Sequence, residues 1–173
     1  MTPLGRAVYE ACHLTGEFVL RSGQVSHEYF DKYLFEGDPL LLRRVAETMA
    51  GLLPTDAEVL AGMEMGGIPL VTVLAQLTGL PAVFVRKEAK AYGTRKVAEG
   101  GDVDGRHVVG VEDVVTTGGA LIKGCLALRD AGAELDTVVC AIDREQGGPD
   151  NLAAHGISLR AALVRADLMP SDE

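Results

Sequence analysis

The sequence predicts an α/β fold with a central parallel sheet flanked by helices, and two features carry that reading. The first is a series of short apolar runs at 58–61 (EVLA), 82–85 (AVFV), 107–111 (HVVGV), 137–142 (TVVCAI) and 157–163 (ISLRAAL). The second is the helical periodicity between them. Residues 68–77 read as a helix, and Leu121, Cys125 and Leu128 share one helical face further on. Nearly continuous apolar strands imply burial on both faces, which a parallel sheet achieves by carrying helices on each side. Such sheets bind ligands at the carboxyl ends of their strands.

The N-terminal part reads differently. Leu4, Val8, Ala11 and Cys12 define one face of a helix over 3–14. Residues 17–21 (EFVLR) and 28–35 (EYFDKYLF) are rich in aromatic and apolar residues, with the turn-like SGQVSH nearby. They predict two strands with a short connection. Asp38-Pro39 supplies a helix N-cap and a first helical residue, after which Leu41, Val45, Met49 and Leu52 recur at helical spacing up to Pro54. A chain of 173 residues is expected to form one domain. Its glycines are dispersed at the ends of apolar segments, with no repeat or linker.

Charge and cysteine usage exclude several function classes. The formal net charge is −9, so the surface as a whole repels nucleic acid and anionic membrane. Any anionic ligand must be held by a local basic cluster. Cys12, Cys125 and Cys140 are odd in number and lack CxxC spacing, which predicts buried reduced thiols rather than disulfides or a zinc site. His13, His27, His107 and His155 show no HExxH spacing. The N-terminal MTPLGRAVYEACHLTG has no signal-peptide core, and no run approaches about 18 apolar residues. The expectation is a cytoplasmic protein that meets neither membrane nor nucleic acid.

The most informative stretch is VVGVEDVVTTGGA at 108–120. An apolar strand ends in adjacent carboxylates, Glu112 and Asp113. Thr116, Thr117, Gly118, Gly119 and Ala120 then lead into a helix. Backbone amides at such a helix start converge on phosphate, and the glycines permit close approach. Ionised carboxylates accept hydrogen bonds only, which suits the paired hydroxyls of a sugar. The pattern reads as a cradle for a ribose 5-phosphate. GxxxxGK[ST] and GxGxxG are both absent.

A second feature is the stretch from 87 to 106, where no helix is predicted. Arg86, Lys87, Lys90, Arg95 and Lys96 place five of the 16 basic residues within 11 positions. In an acidic chain this suits a cationic lid over an anionic ligand. It equally suits a solvated loop whose charges offset Glu88, Glu99, Asp102 and Asp104.

The 108–120 stretch resembles the phosphoribosyl-pyrophosphate (PRPP) motif of type I phosphoribosyltransferases. Four further segments narrow the resemblance to orotate phosphoribosyltransferases. RKEAKAYGTRKVAEG at 86–100 is similar to their catalytic loop, and LRSGQVSHEYFD at 20–31 to their base-binding hood. GMEMGGIPL at 62–70 resembles their first PRPP loop, and AIDREQGGPDNLAAHGI at 141–157 their Asp-Arg segment.

The resemblance implies the type I phosphoribosyltransferase fold, with an N-terminal helix and hood over about 1–37 and an α/β core over about 38–165. It implies transfer of ribose 5-phosphate from PRPP to orotate, giving orotidine 5′-monophosphate and pyrophosphate in pyrimidine biosynthesis. Glu112 and Asp113 would bind the ribose hydroxyls, and Thr116 to Ala120 the 5′-phosphate. Arg86, Lys87, Lys90 and Tyr92 would meet the pyrophosphate, with Met65 and Gly66 in the first PRPP loop. Catalytic weight would fall on Arg86, Lys87, Lys90 and Asp113. Arg21, Tyr29, Phe30, Thr116 and Arg144 would surround orotate. Mg²⁺ would ride mostly on PRPP oxygens and water, with no protein metal centre, and a homodimer would share its active sites. The chain departs from the family pattern at Gly66, where many members have Lys, and at Ala91 and Tyr92, where KDHG is common. A phosphoribosyltransferase for another base and a non-catalytic PRPP-binding regulator are the competing readings.

Overall fold

The structure is a computed structural model and describes residues 1–19, 23–87 and 97–168. The N-terminal helix α1 (Pro3–Cys12) starts at Thr2, whose hydroxyl accepts from the Gly5 amide at 3.0 Å. It leads directly into β1 (His13–Val19), which pairs antiparallel with β2 (Val25–Phe30). The expected helix thus ends two residues early and the first strand begins sooner.

The expected strand over 28–35 requires correction. It stops at Phe30, and α2 (Tyr33–Gly37) follows. Asp31 Oδ1 accepts the Tyr33 amide at 3.1 Å, turning the chain after the strand. Burial then follows the needs of the core. Tyr33 and Leu34 are exposed, while Phe35 is fully buried. Aromatic content favoured a strand locally, and tertiary packing overrode it.

Asp38 caps α3 (Pro39–Ala50) as expected, its Oδ1 accepting from the Leu40 and Leu41 amides. The core that follows comprises β3 (Val59–Met63), α4 (Gly67–Thr78), β4 (Ala82–Val85), β5 (Ala98–Glu99) and β6 (His107–Val115). It continues through α5 (Gly119–Asp130), β7 (Glu134–Asp143), α6 (Gly148–Ala153), β8 (Ser158–Val164) and α7 (Arg165–Leu168). The six-stranded sheet runs β5-β4-β3-β6-β7-β8. All of its pairings are parallel except β4 with β5.

Within the stretch expected to be a loop, Ala98–Glu99 is therefore an edge strand. Ala98 and Val103 are buried, which anchors the far end of that segment to the sheet. The short helix α6 was not expected.

The sheet is covered on both faces, as its apolar strands require. Val45, Met49, Leu70 and Leu74 pack one face with Val111 and Val139. Leu121, Cys125, Leu128 and Leu152 pack the other with Ala61 and Val138. The three cysteines are free and buried. Burial pushes the Cys12 thiol up to about 11 and Cys125 up to about 12, so neither is a nucleophile near neutrality. Among the described residues no helix is long and apolar enough to cross a membrane.

Candidate active site

β6 ends beyond its neighbour β3, and its carboxyl end carries the expected carboxylates. They separate, as successive strand residues do. Glu112 lines a cavity of about 250 Å³ together with Val114 and residues 115–121. It also lines a second cavity of about 390 Å³ that contains Arg86, Lys87 and Lys123. Asp113 is 1% exposed and lines neither. Its Oδ1 accepts from the Val114 amide, and its Oδ2 meets the Lys32 ammonium.

The turn after β6 is shaped by its glycines and by a neighbouring helix. Gly118 has φ +78°, the left-handed region that glycine enters without strain. It caps α5 without a side-chain partner, so the first amides of that helix are left for a ligand. Asn151 on α6 donates from Nδ2 to the Thr117 carbonyl at 2.9 Å, tying the turn down. Thr116, Thr117, Gly119 and Ala120 are exposed toward the cavity they line.

The cationic group is brought partly together. Arg86 and Lys87 follow β4 and open into the Glu112 cavity. Arg86 Nε lies 3.5 Å from Glu99 Oε1, across the β4–β5 pair. Lys123, one helical turn beyond the phosphate turn, joins them and was not foreseen. Lys90 and Tyr92 lie outside the described residues, as does Arg21.

A third cavity, of about 280 Å³, lies against the small sheet. It is lined by Tyr29, Phe30 and Arg144, three of the five residues expected around the base, together with Tyr9, His13 and Arg165. The Arg144 Cζ sits 5.9 Å from the Phe30 ring centroid, a cation–π arrangement. Asp143, by contrast, turns its Oδ1 to the Glu145 amide at 2.9 Å. Thr116 lines the cavity of the TTGG turn rather than this one.

The first PRPP-like loop also meets β6. Met65 is exposed, and Gly66 stands against Asp113, where a Cβ would fall 1.5 Å from Oδ2. No side chain fits at position 66 while Asp113 keeps this place.

Electrostatics concentrate at the same point. Burial, reinforced by neighbouring Asp113, pushes the Glu112 carboxyl up to about 9. Burial and Asp113 likewise push Glu36, on α2, up to about 8. Burial disfavours the Lys32 ammonium, but the Asp113 carboxylate outweighs it and raises the pKa. Lys32 and Glu36 were missed at the sequence level. Their i, i+4 spacing becomes legible only once residues 33–37 are read as a helix. Among the described residues no cluster of three or more His, Cys, Asp or Glu side chains could hold a metal ion.

The phosphoribosyl transferase domain family model matches residues 37–161. An orotate phosphoribosyltransferase of a Nocardioides species is 58% identical over 157 residues, covering 91% of this chain and 88% of that protein. The orotate phosphoribosyltransferase of Halobacterium salinarum is 43% identical, with 91% and 89% covered. The solved structure of Mycobacterium tuberculosis orotate phosphoribosyltransferase in complex with PRPP superimposes with a TM-score of 0.82 at 27% identity, covering 95% of this chain and 96% of that one.

Proposed function

This chain belongs to the orotate phosphoribosyltransferases, within the phosphoribosyl transferase domain family, and from that premise we propose how its residues carry the reaction. The enzyme is a pentosyltransferase that moves the ribose 5-phosphate group of PRPP onto orotate, releasing pyrophosphate. The observation that carries the assignment of roles is Glu112. It lines both the cavity of the TTGG turn and the adjoining cavity of Arg86 and Lys87.

In this reading the 5′-phosphate lies on the amides of residues 117–120, with the Thr116 and Thr117 hydroxyls beside it. Glu112, with Asp113 behind it, receives the ribose hydroxyls. Pyrophosphate departs toward Arg86 and Lys87, with Lys90 and Tyr92 of the same segment taking part. Its charge grows as the anomeric carbon becomes oxocarbenium-like, so cations fixed there favour the transition state. Mg²⁺ takes oxygen ligands and retains water, which suits a metal carried by the PRPP oxygens, where it supplies further positive charge. Glu112 lines that space and, once ionised, would offer such a metal one oxygen ligand.

Orotate differs from a plain pyrimidine by a carboxylate, and Arg144 beside Phe30 and Tyr29 offers a cation next to an aromatic surface. The segment of about 1–37 acts as the hood over the core of about 38–165. The working form is a cytoplasmic homodimer in which Lys90 of one subunit serves its partner's site. Mixing Lys90→Ala subunits with Glu112→Gln subunits, each inactive alone, should restore activity at one site of two. No recovery after verified subunit exchange would assign each site to a single chain.

The test of the reaction is incubation with PRPP, Mg²⁺ and a panel of bases, following nucleotide formation. Orotidine 5′-monophosphate should be the main product. Nucleotide formed only from another base would overturn the choice of orotate, and PRPP binding without transfer to any base would overturn catalysis.

A further inference from the structure

Two stretches of chain remote in sequence from Asp113 meet at its Oδ2 oxygen. Lys32, the residue before α2, brings its ammonium to it. Glu36, one helical turn on, is 8% exposed and shares the same surroundings. Gly66, in the first PRPP-like loop, leaves the space the carboxylate fills, since a Cβ there would stand 1.5 Å from Oδ2.

A carboxylate this deeply buried requires a partner. Glu36 and Glu112, whose raised pKa values keep them protonated near neutrality, can donate a hydrogen bond to Asp113 but bring no positive charge to offset it. Gly66 has no side chain to offer. Lys32 is the ammonium that reaches the atom. It belongs to the N-terminal segment, whereas Asp113 and Gly66 belong to the core, so the contact joins the two at the substrate edge of the sheet.

We propose that Lys32 is a positioning residue for PRPP, fixing the Asp113 carboxylate at the carboxyl end of β6 and seating the N-terminal segment against the PRPP loops. The proposal rests on the PRPP reading given above. Without the ammonium, only the neutral carboxyls of Glu36 and Glu112 stand beside the buried Asp113 charge, and nothing positive offsets it. It then swings out or takes up a proton, and either change alters the acceptor set presented to the ribose. Lys32 acts before chemistry, by setting the site that PRPP enters. Its loss therefore weakens PRPP binding more than it slows the bound complex.

The experiment is calorimetric titration of PRPP with Mg²⁺, without base, into wild type, Lys32→Met, Lys32→Arg, Asp113→Asn and the Lys32→Met/Asp113→Asn double variant. Steady-state kinetics accompany it. Lys32→Met should weaken PRPP binding roughly 10-fold or more, since it strands a buried carboxylate. Its kcat should change several-fold less than its KM for PRPP. Lys32→Arg should recover most of the affinity. In the double variant the Lys32→Met penalty should largely vanish, because its target is gone.

Wild-type affinity in Lys32→Met would overturn the proposal. So would Lys32→Arg as weak as Lys32→Met, or penalties that simply add. If Lys32→Met does not fold, Lys32→Arg and Asp113→Asn still decide: Lys32→Arg should bind PRPP near wild type and Asp113→Asn more weakly, and wild-type affinity in Asp113→Asn would overturn the proposal. Omitting the base keeps the test independent of the orotate assignment. Wild-type protein that binds no PRPP would overturn the functional reading together with this role.

Discussion

The cavity proposed for the phosphate draws its lining from one short run, Glu112 to Leu121 without Asp113. The cavity proposed for the base draws on residues from Tyr9 to Leu168, contributed by α1, the small sheet, Arg144 just after β7, and α7. The first is a local object. Strand, turn and helix start are consecutive, so the chain's own dihedral angles place the amides. The second exists only after distant elements have packed, and its chemistry depends on side chains such as Arg144 and Phe30 meeting at 5.9 Å. A local site should fail when its backbone is distorted. An assembled site should fail when one side chain is removed, and its neighbour should be spared in each case.

The largest effect is therefore expected from Gly118→Val. Its φ of +78° strains any β-branched residue, and its Cβ would approach Leu152 Cδ1 to 2.9 Å. The turn must move, and with it the amides at the start of α5. We expect kcat/KM for PRPP to fall by roughly 10²-fold or more, in line with losing preorganised donors. Orotate analogue binding in the base-side cavity should change little. Near wild-type kinetics would show that the cradle does not depend on this backbone conformation.

Arg144→Ala strikes the other region. Losing a cation that pairs with a carboxylate should raise the KM for orotate roughly 10- to 100-fold. PRPP affinity should stay near wild type, because the turn is untouched. Unchanged constants for orotate would remove Arg144 from the base site. A parallel loss of PRPP affinity would mean that the two regions are not separable.

Asn151→Ala tests how far the local site is self-sufficient. Its one hydrogen bond to the Thr117 carbonyl crosses from α6 to the turn. Removing it should cost about 1 kcal/mol, or about fivefold in PRPP affinity if the turn loosens in proportion. No change would make the turn wholly self-supporting. A loss as large as that of Gly118→Val would make α6 part of the cradle.

This contrast also explains what the sequence revealed. VEDVVTTGGA could be read because its chemistry and its geometry lie in the same ten residues. The parallel sheet could be read because strands buried on both faces leave continuous apolar runs. Arg144 and Phe30 were assigned to one site by resemblance alone, since nothing in their spacing of over a hundred residues joins them. Lys32 and Glu36 were missed for a more specific reason. The aromatic composition of EYFDKYLF favours a strand, in which residues 32 and 36 have no special relation to the core carboxylate. The Asp31 turn and the burial of Phe35 accompany α2, and with Lys32 at its N-cap and Glu36 one turn on, both residues come to Asp113. The division of Glu112 and Asp113 between cavity and interior was equally hidden, because it depends on which face of the sheet each occupies.

The smallest expected effect lies at the joint between the regions, in the pH dependence of stability. Burial, followed by the charge of Asp113, pushes the Glu36 carboxyl up to about 8 from its ordinary 4.5. Between those values the folded protein holds a proton that the unfolded chain releases. Stability is greatest below the unfolded value and declines as pH rises toward the folded one. Glu112 titrates in the same direction and remains in both proteins, so the informative quantity is the difference between them. Glu36→Gln keeps a neutral, similarly shaped group at every pH, and it leaves the Lys32–Asp113 pair in place. The variant should match wild type near pH 5 and exceed it near pH 8.5, by a few degrees in Tm. Thermal melts of both proteins across that range provide the measurement. Parallel Tm curves would mean that Glu36 is charged at no extra expense in the fold. A variant less stable at pH 8.5 would reverse the sign and make the Glu36 carboxylate a partner of Lys32 rather than a rival of Asp113.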